Sequence, residues 1–457
     1  MTTPHPAPAL LAVTGRQLLA ATARAQAGGR LPSLITAIAR DGGLCWSARR
    51  GGMPDAADPA AVDPAAVAYR IGSITKTFTA VLVMRLRDEG RLALDTPVGQ
   101  LLSDAPAADR TVGQLLGHGS GLQAETAGDW WERTPGRDWP QLIAALGSDA
   151  VRHPAGRRFH YSNLGYAVLG RIVEQLRGRS WEQCLSEEIL TPLGMHRTGT
   201  HPRPPAAIGT AVHPWAPVTV AEPAPDYAAM APAGQLWSTA GDLARWCGFL
   251  LGDTSGVLDP ATVAEMAQPG LSDGEGGGYG LGLQLRTVDG RTLVGHGGSV
   301  PGFLAGLLVD PDERTGVVLL ANATAGLDGD LGVRLLEIVR TNEPRIAPAW
   351  SPLPAQLRVP LELLGPWYWG PQPVLLVQTE DGMLELRGLT DGSRESRFCS
   401  ASPDTWTGVD GYWAGERLQV VRAAGRVTRL DLGSFTLTRA PYEPGVTPGG
   451  VPDGGWG

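Results

Sequence analysis

A strongly apolar helix is predicted to begin within the stretch Tyr69-Arg70-Ile71-Gly72-Ser73-Ile74-Thr75-Lys76. It runs from about Ser73 to Glu89 and ends at Gly90, since glycine is common just beyond a helix C-terminus. Its side chains leave almost no polar face before Arg85, and a helix that is apolar all round is buried. The stretch therefore predicts a central helix with Ser73 and Lys76 at its start.

Lys76 is unusual in this composition. Of the 38 Lys and Arg residues, 37 are arginine and one is lysine, a bias typical of a GC-rich genome. Residues three apart on a helix lie on one face, so Lys76 should lie beside Ser73. A serine hydroxyl needs a nearby base, and a buried lysine can become one whereas an arginine stays protonated. The alternative is a lysine that follows a serine by chance.

A second candidate is the triplet Tyr161-Ser162-Asn163. A phenol beside a lysine can pass a proton to a leaving group, and an amide can hold both the lysine and a substrate carbonyl. The amphipathic pattern that follows predicts a helix over Leu164–Arg177. The structural alternative is a turn before that helix, with Asn163 as its cap.

The third candidate is His296-Gly297-Gly298-Ser299, between two strand-like segments. Two glycines allow a substrate backbone to approach a strand closely, and His296 could hold a substrate carboxylate or assist proton transfer. The alternative is a hairpin turn with a surface histidine.

Strands are predicted near both ends of the first 342 residues, with helices between, which indicates an α+β domain. A short antiparallel set follows a proline-rich break and fits a small all-β barrel or sandwich. The predicted strands are Ser33–Ala39, Leu44–Arg49, Gly280–Val288, Arg291–Val294, Phe303–Val309 and Gly316–Leu320, then Val374–Gln378, Met383–Arg387, Arg417–Arg422, Val427–Asp431 and Ser434–Arg439. The predicted divisions are a flexible lead over 1–12, a first domain over 13–342, a linker over 343–356, a β domain over 357–440 and a flexible tail over 441–457.

Taken together, Ser-x-x-Lys, Tyr-x-Asn and His-Gly-Gly resemble the motifs of the serine β-lactamase and penicillin-binding protein superfamily, closest to its class C-like branch. The resemblance covers about residues 14–342. Further stretches that look like this family are Tyr69–Gly72, Gln114–Leu122, Thr191–Met195 and Pro232–Thr239.

The resemblance implies a two-lobed catalytic domain, one lobe helical and the other a mainly antiparallel sheet with flanking helices. Ser73 would attack an amide, ester or thioester carbonyl and form an acyl-enzyme. Lys76 together with Tyr161 would act as base and then as proton donor. The backbone N–H groups of Ser73 and Ser299 would form the oxyanion hole.

The same resemblance makes Asn163, His296, Gly297 and Gly298 candidates for orienting the substrate. Arg439, at the end of the last predicted strand, is a further candidate that could reach a substrate carboxylate, and a surface arginine is the alternative. We expect no metal and no cofactor, because no histidine pair stands at a convincing ligand spacing.

Charge and hydropathy narrow the range of partners. A net charge of −8 and a pI near 5.6 argue against nucleic acid or an anionic membrane. The sequence contains no apolar run long enough to span a bilayer, and its first residues lack the pattern of a secretion signal. These features predict a cytoplasmic protein.

A cytosolic chain with a lipocalin-like C-terminal domain resembles the stand-alone penicillin-binding-protein-type thioesterases of actinobacterial nonribosomal peptide pathways. That resemblance implies release and head-to-tail macrocyclisation of a peptidyl thioester with a D-residue at its acyl end. A peptidyl carrier protein would be one source of this substrate. The alternatives are a cytosolic esterase, a D-stereospecific amidase or peptidase, a β-lactamase, or a non-catalytic sensor on the same fold.

Overall fold

The computed structural model describes residues 9–52, 62–146, 150–272, 277–346, 349–389 and 394–442. Most of the lead predicted over 1–12 and of the tail predicted over 441–457 lies outside these residues, as do positions 347 and 348 of the predicted linker. The chain divides into two compact units, residues 1–346 and 347–457.

An antiparallel sheet forms one lobe of the first unit. In the part of the chain that is described it has eight strands, in the order β2-β1-β12-β11-β10-β9-β8-β7. Two small two-stranded sheets, β3-β6 and β4-β5, lie outside it. The strands are β1 (Ser33–Arg40), β2 (Gly43–Gly51), β3 (Tyr69–Arg70), β4 (Thr210–Val212), β5 (Thr219–Ala221), β6 (Trp237–Ser238), β7 (Leu271–Ser272), β8 (Gly277–Tyr279), β9 (Gln284–Val288), β10 (Arg291–Val300), β11 (Phe303–Asp310) and β12 (Thr315–Ala321).

Helices make up the other lobe and also flank the sheet. They are α1 (Ala12–Gly28), α2 (Thr75–Asp88), α3 (Val98–Leu101), α4 (Val112–Leu116), α5 (Trp139–Ala145), α6 (Asn163–Arg177), α7 (Trp181–Leu185), α8 (Ala231–Gly234), α9 (Ala240–Leu250), α10 (Pro260–Met266) and α11 (Leu331–Asn342). The α+β, two-lobed architecture expected from the sequence is confirmed.

Apolar side chains on both faces of the sheet explain why its central strands β1 and β12 are almost completely buried. On β1, Ile35 belongs to the large core shared with the helical lobe, whereas Leu34 and Ile38 pack in a second core with residues of α1 and α11. The central helix α2 is buried as predicted, and its Phe78 stacks on Trp246 of α9 with ring centroids 3.8 Å apart. The turn before α2 packs directly against β10, where Gly72 lies beside Gly298 and Ser299.

Two strand predictions near the third motif are wrong in their bounds. The strand predicted over Gly280–Val288 begins only at Gln284, because residues 280–283 connect β8 to β9. Within this connection Gly282 has φ +85° and lies against Ala80 of α2. The strand predicted to end at Val294 continues to Val300, so the glycines that indicated a turn lie inside it. Gly298 provides room for close packing against the backbone of Ile71, and the two glycines do not form a reversal.

The second unit is a closed antiparallel barrel in which each strand pairs with its neighbour in sequence. This confirms the expected all-β, lipocalin-like domain. Two strands rich in Ser and Thr were not predicted, since each places few apolar side chains, such as Phe398 and Trp406, in the core. The strands are β13 (Gly365–Trp369), β14 (Gln372–Gln378), β15 (Leu384–Gly388), β16 (Ser396–Ser402), β17 (Thr405–Gly408), β18 (Arg417–Ala423), β19 (Arg426–Leu432) and β20 (Phe435–Thr438).

None of the helices within the described ranges is both long and apolar enough to cross a membrane.

Candidate active site

Ser73 lies on a single 3-10 turn, Gly72–Ile74, that leads directly into α2. Gly72 has φ +49°, and a Cβ at this position would lie 2.8 Å from the backbone nitrogen of Ser299 on β10. A side chain there would therefore be strained and would push the turn away from the strand. The glycine lets Ser73 sit beside Ser299, so the two amides expected to form an oxyanion hole belong to adjacent segments.

Lys76 is completely buried one turn further along. Its Nζ lies 3.0 Å from Ser73 Oγ, 2.6 Å from Asn163 Oδ1 and 2.8 Å from the carbonyl oxygen of Ala233. Burial lowers the pKa of Lys76 from its ordinary value of 10.5 to about 7, against the opposing effect of nearby carboxylates. A substantial fraction of Lys76 is therefore an uncharged amine at neutral pH.

Asn163 contributes its side chain to this cluster and does not cap the helix. The cap of α6 is Ser162, whose Oγ accepts a hydrogen bond from the Gly165 amide at 3.0 Å. The Asn163 amide is thus left to bind Lys76 through Oδ1, while its Nδ2 donates to Glu125 Oε1 at 2.7 Å. The alternative interpretation of Asn163 as a helix cap is wrong.

Tyr161 lies between Ser73, Lys76 and a buried histidine. Its ring centroid is 4.9 Å from Lys76 Nζ, and Ser73 is close enough to offset part of the effect of burial on the pKa of the phenol. Burial raises the pKa of Tyr161 well above its ordinary value of 10. His118 packs on the ring with centroids 4.2 Å apart and accepts a hydrogen bond from the Ser162 amide at 3.1 Å, so it fixes the position of the phenol.

His296 differs from its prediction in two respects. It lies inside β10 and is 2% exposed, so the hairpin turn with a surface histidine is wrong. Both ring nitrogens are occupied: Nε2 lies 2.9 Å from the Tyr279 hydroxyl, and Nδ1 lies 2.6 Å from the Gly297 carbonyl oxygen. Burial lowers the pKa of His296 to about 3, so at pH 7 it lacks the positive charge that a substrate carboxylate would favour.

Close packing between β10 and the backbone of Ile71 requires a glycine at position 298, since a Cβ there would lie 2.0 Å from the carbonyl oxygen of Ile71. We expect Gly298→Ala to lower the free energy of unfolding by about 3 kcal/mol, a typical loss for overpacking a close contact. Gly297→Ala is the matched control, because its Cβ would meet the Gln284 side chain at 3.7 Å, an ordinary contact. Urea unfolding of both variants tests this, and equal losses would contradict it.

The structure brings Ser73, Lys76, Tyr161 and Asn163 together and places the β10 segment against them. Arg439 belongs to the barrel unit, where its guanidinium lies 3.8 Å above the Trp367 ring and donates to the Pro366 carbonyl at 2.8 Å. Its contact with a substrate carboxylate stays a prediction. Glu125 contacts the same cluster through Asn163, and no motif or spacing in the sequence indicates it.

Comparison with known proteins places this geometry in a family. A family model described as Beta-lactamase matches residues 12–339, which is more than half of the chain. The chain belongs to the beta-lactamase family. A second model, described as a domain of unknown function, matches residues 357–439 of this beta-lactamase-family protein.

The beta-lactamase-family protein is 34% identical to penicillin-binding protein 4 of Amycolatopsis lactamdurans over 56% of this chain and 72% of that one. Its structure resembles SurE with 25% identity and a TM-score of 0.58, over 93% of this chain and 99% of SurE. A D-stereospecific amidohydrolase from Streptomyces is also 25% identical, with a TM-score of 0.59, over 73% of this chain and 99% of that one. Relatives with this fold are serine hydrolases.

Proposed function

We propose that this protein is an acyl-transferring serine enzyme in which Ser73 is the nucleophile, Lys76 its base and Tyr161 the proton donor to the leaving group. One observation carries the proposal: the buried Lys76 Nζ lies 3.0 Å from Ser73 Oγ. Its other two neighbours, Asn163 Oδ1 and the Ala233 carbonyl oxygen, can only accept hydrogen bonds. A neutral amine that donates to both has its lone pair free for the Ser73 hydroxyl proton.

The first half-reaction follows from this arrangement. Ser73 Oγ forms a bond to the substrate carbonyl carbon as its proton passes to Lys76 Nζ. The carbonyl oxygen becomes an oxyanion facing the amides of Ser73 and Ser299. The bond to the leaving group then breaks, and the leaving group takes a proton from Tyr161. Tyr161 regains a proton from Lys76. The acyl group is left as an ester on Ser73.

The second half-reaction decides the product. We propose that the acyl group is a peptide whose last residue is a D-amino acid, delivered as a thioester, and that the peptide's own N-terminal amine attacks the ester. The new amide bond closes a ring as the ester bond to Ser73 Oγ breaks, and the proton that the amine loses passes through Lys76 and Tyr161 to Ser73 Oγ. Supply by a peptidyl carrier protein and a cytoplasmic location belong to the same proposal.

Two similarities support this substrate class. The likeness to SurE extends over 93% of this chain, and thus over residues of both units, and over 99% of SurE. One SurE structure was determined with D-Leu. The amidohydrolase similarity covers a smaller part of the chain, and that enzyme is D-stereospecific. A D-stereospecific amidase is therefore the second candidate, with water in place of the amine.

A peptidyl thioester with a C-terminal D-Leu, on an N-acetylcysteamine leaving group, separates these functions when its products are analysed by mass spectrometry. We expect the cyclic peptide, and no turnover of the matched L-Leu thioester or by Ser73→Ala. Linear acid alone, together with rapid hydrolysis of D-leucine amide, would replace the cyclase by an amidase. If neither substrate nor a fluorophosphonate labels Ser73, the chain is a non-catalytic sensor.

A further inference from the structure

Glu125 connects the Lys76 cluster to a loop that no motif describes. Its Oε1 accepts a hydrogen bond from Asn163 Nδ2 at 2.7 Å, and its Oε2 accepts one from the indole N–H of Trp131, also at 2.7 Å. Glu125 itself is exposed, in contrast to the buried Lys76 and Asn163 that it reaches. Both carboxylate oxygens are therefore committed, one to the site and one to the loop.

The contact with Asn163 decides which way that amide points. Lys76 Nζ needs an oxygen acceptor at 2.6 Å, which requires Asn163 Oδ1 and not Nδ2 on that side. An ionised carboxylate only accepts hydrogen bonds, so Glu125 selects the Nδ2 end and leaves Oδ1 for the lysine. Without this acceptor the amide could rotate and direct two N–H donors at Lys76.

We propose that Glu125 is a positioning residue that, through Asn163, holds Lys76 Nζ in line with Ser73 Oγ. The inference rests on the proposed function for its consequence in catalysis. The indole N–H of Trp131 holds the other carboxylate oxygen of Glu125 in place. Trp131 in turn packs edge-to-face on Tyr227, with ring centroids 4.8 Å apart. This contact holds the loop that carries Trp131 against Tyr227.

Glu125 has an electrostatic effect that is separate from positioning. Its charge and that of Glu132 raise the pKa of Lys76 against the larger lowering effect of burial. Glu132 Oε2 accepts a hydrogen bond from the Trp130 indole N–H at 2.9 Å. Among the described contacts, none joins Glu132 to Asn163. The groups that face Lys76 are Glu125 and Glu132, the buried histidines His118 and His296, and the rings of Tyr161 and Tyr166.

A double-mutant cycle tests positioning. The readout is the rate of Ser73 labelling by a fluorophosphonate, followed by intact mass on the pH plateau where Lys76 is neutral. We expect Glu125→Ala to slow labelling about 30-fold, the size of losing a charged hydrogen bond, and to have no further effect in an Asn163→Ala background. Glu125→Gln, which keeps an acceptor for Asn163 Nδ2, should recover most of the rate.

Glu132→Gln is the matched control, since it removes a neighbouring charge without touching Asn163. It and Glu125→Gln should both move the acidic limb of the pH–rate profile to lower pH, while their plateau rates stay within about threefold of the wild type. Fold losses that multiply in the Glu125→Ala, Asn163→Ala double variant would overturn the inference, because Glu125 would then act independently of Asn163.

A second readout does not depend on activity. Because Lys76 is the one lysine in the sequence, protein made with lysine labelled at ¹³Cε gives a single lysine signal. Above the Lys76 titration, Glu125→Ala and Asn163→Ala should shift this signal in the same direction, and the double variant should match Asn163→Ala. An unchanged signal in Glu125→Ala would refute the positioning role. An unreactive wild-type Ser73 with the predicted shifts would refute the proposed function alone.

Discussion

Replacing Lys76 with arginine is expected to slow the acylation of Ser73 by at least ~10³-fold while the protein still folds. Arginine keeps the positive charge, but its guanidinium does not lose a proton at any pH that proteins tolerate. The variant therefore has no lone pair to accept the Ser73 hydroxyl proton. Stopped-flow measurement with a p-nitrophenyl ester, together with circular dichroism for folding, checks both parts.

The matched control for Lys76→Arg is Arg87→Lys, near the opposite end of α2. Arg87 forms a surface ion pair with Glu265 at 2.7 Å, and either cation can make that contact. We expect Arg87→Lys to acylate at nearly the wild-type rate. Near-normal acylation by Lys76→Arg would contradict the role of Lys76 as base, since a guanidinium that stays protonated cannot accept the Ser73 proton.

Replacing Tyr161 with phenylalanine has the second-largest expected effect, a loss of about 10²- to 10³-fold in turnover, which is the usual range for a proton-transfer group. Its pKa is raised by burial, so the phenol carries its proton at neutral pH and can deliver it to a leaving group. The ring of phenylalanine keeps the packing against His118. Turnover of thioester and amide substrates measures the loss, which should be larger for the amide.

Tyr166→Phe is the control for Tyr161→Phe. The Tyr166 ring centroid is 5.5 Å from Lys76 Nζ, similar to that of Tyr161, but its hydroxyl donates to the Leu116 carbonyl at 2.9 Å. Removing this hydroxyl should change turnover less than about threefold, because it does not reach the reacting atoms. Equal losses in both variants would show that general packing, and not proton transfer, explains the effect of Tyr161.

Much of the fold was predictable because local pattern and final packing agree. The apolar run after Ser73 predicted a buried helix, and α2 is buried. The amphipathic stripe over Leu164–Arg177 predicted α6 to within one residue. Strands such as β16 were missed because Ser and Thr on an exposed barrel face carry no hydrophobic alternation. β16 pairs with the adjacent strands β15 and β17, so its place in the barrel depends on those partners and not on a hydrophobic pattern of its own.

The candidate active site was likewise predictable from the sequence only in part. The spacing of Ser73 and Lys76 on one helix indicated their contact directly, and the triplet around Tyr161 indicated the next group. The environment of His296 could not be predicted, because it depends on Tyr279 and on burial by strands that come together only in the folded sheet. Glu125 was missed for a related reason: its partner Asn163 is 38 residues away in the sequence.

The most direct test of the account is a pH titration of Lys76 in the ¹³Cε-lysine protein, compared with the pH dependence of Ser73 acylation. We expect a single titration with a pKa of about 7. Lys76 is protonated below that value and neutral above it, so acylation should rise as the pH increases through 7 and then level off. If Lys76 titrated near its ordinary pKa of 10.5 while the acylation rate had already reached its plateau at pH 7, Lys76 would not be the base.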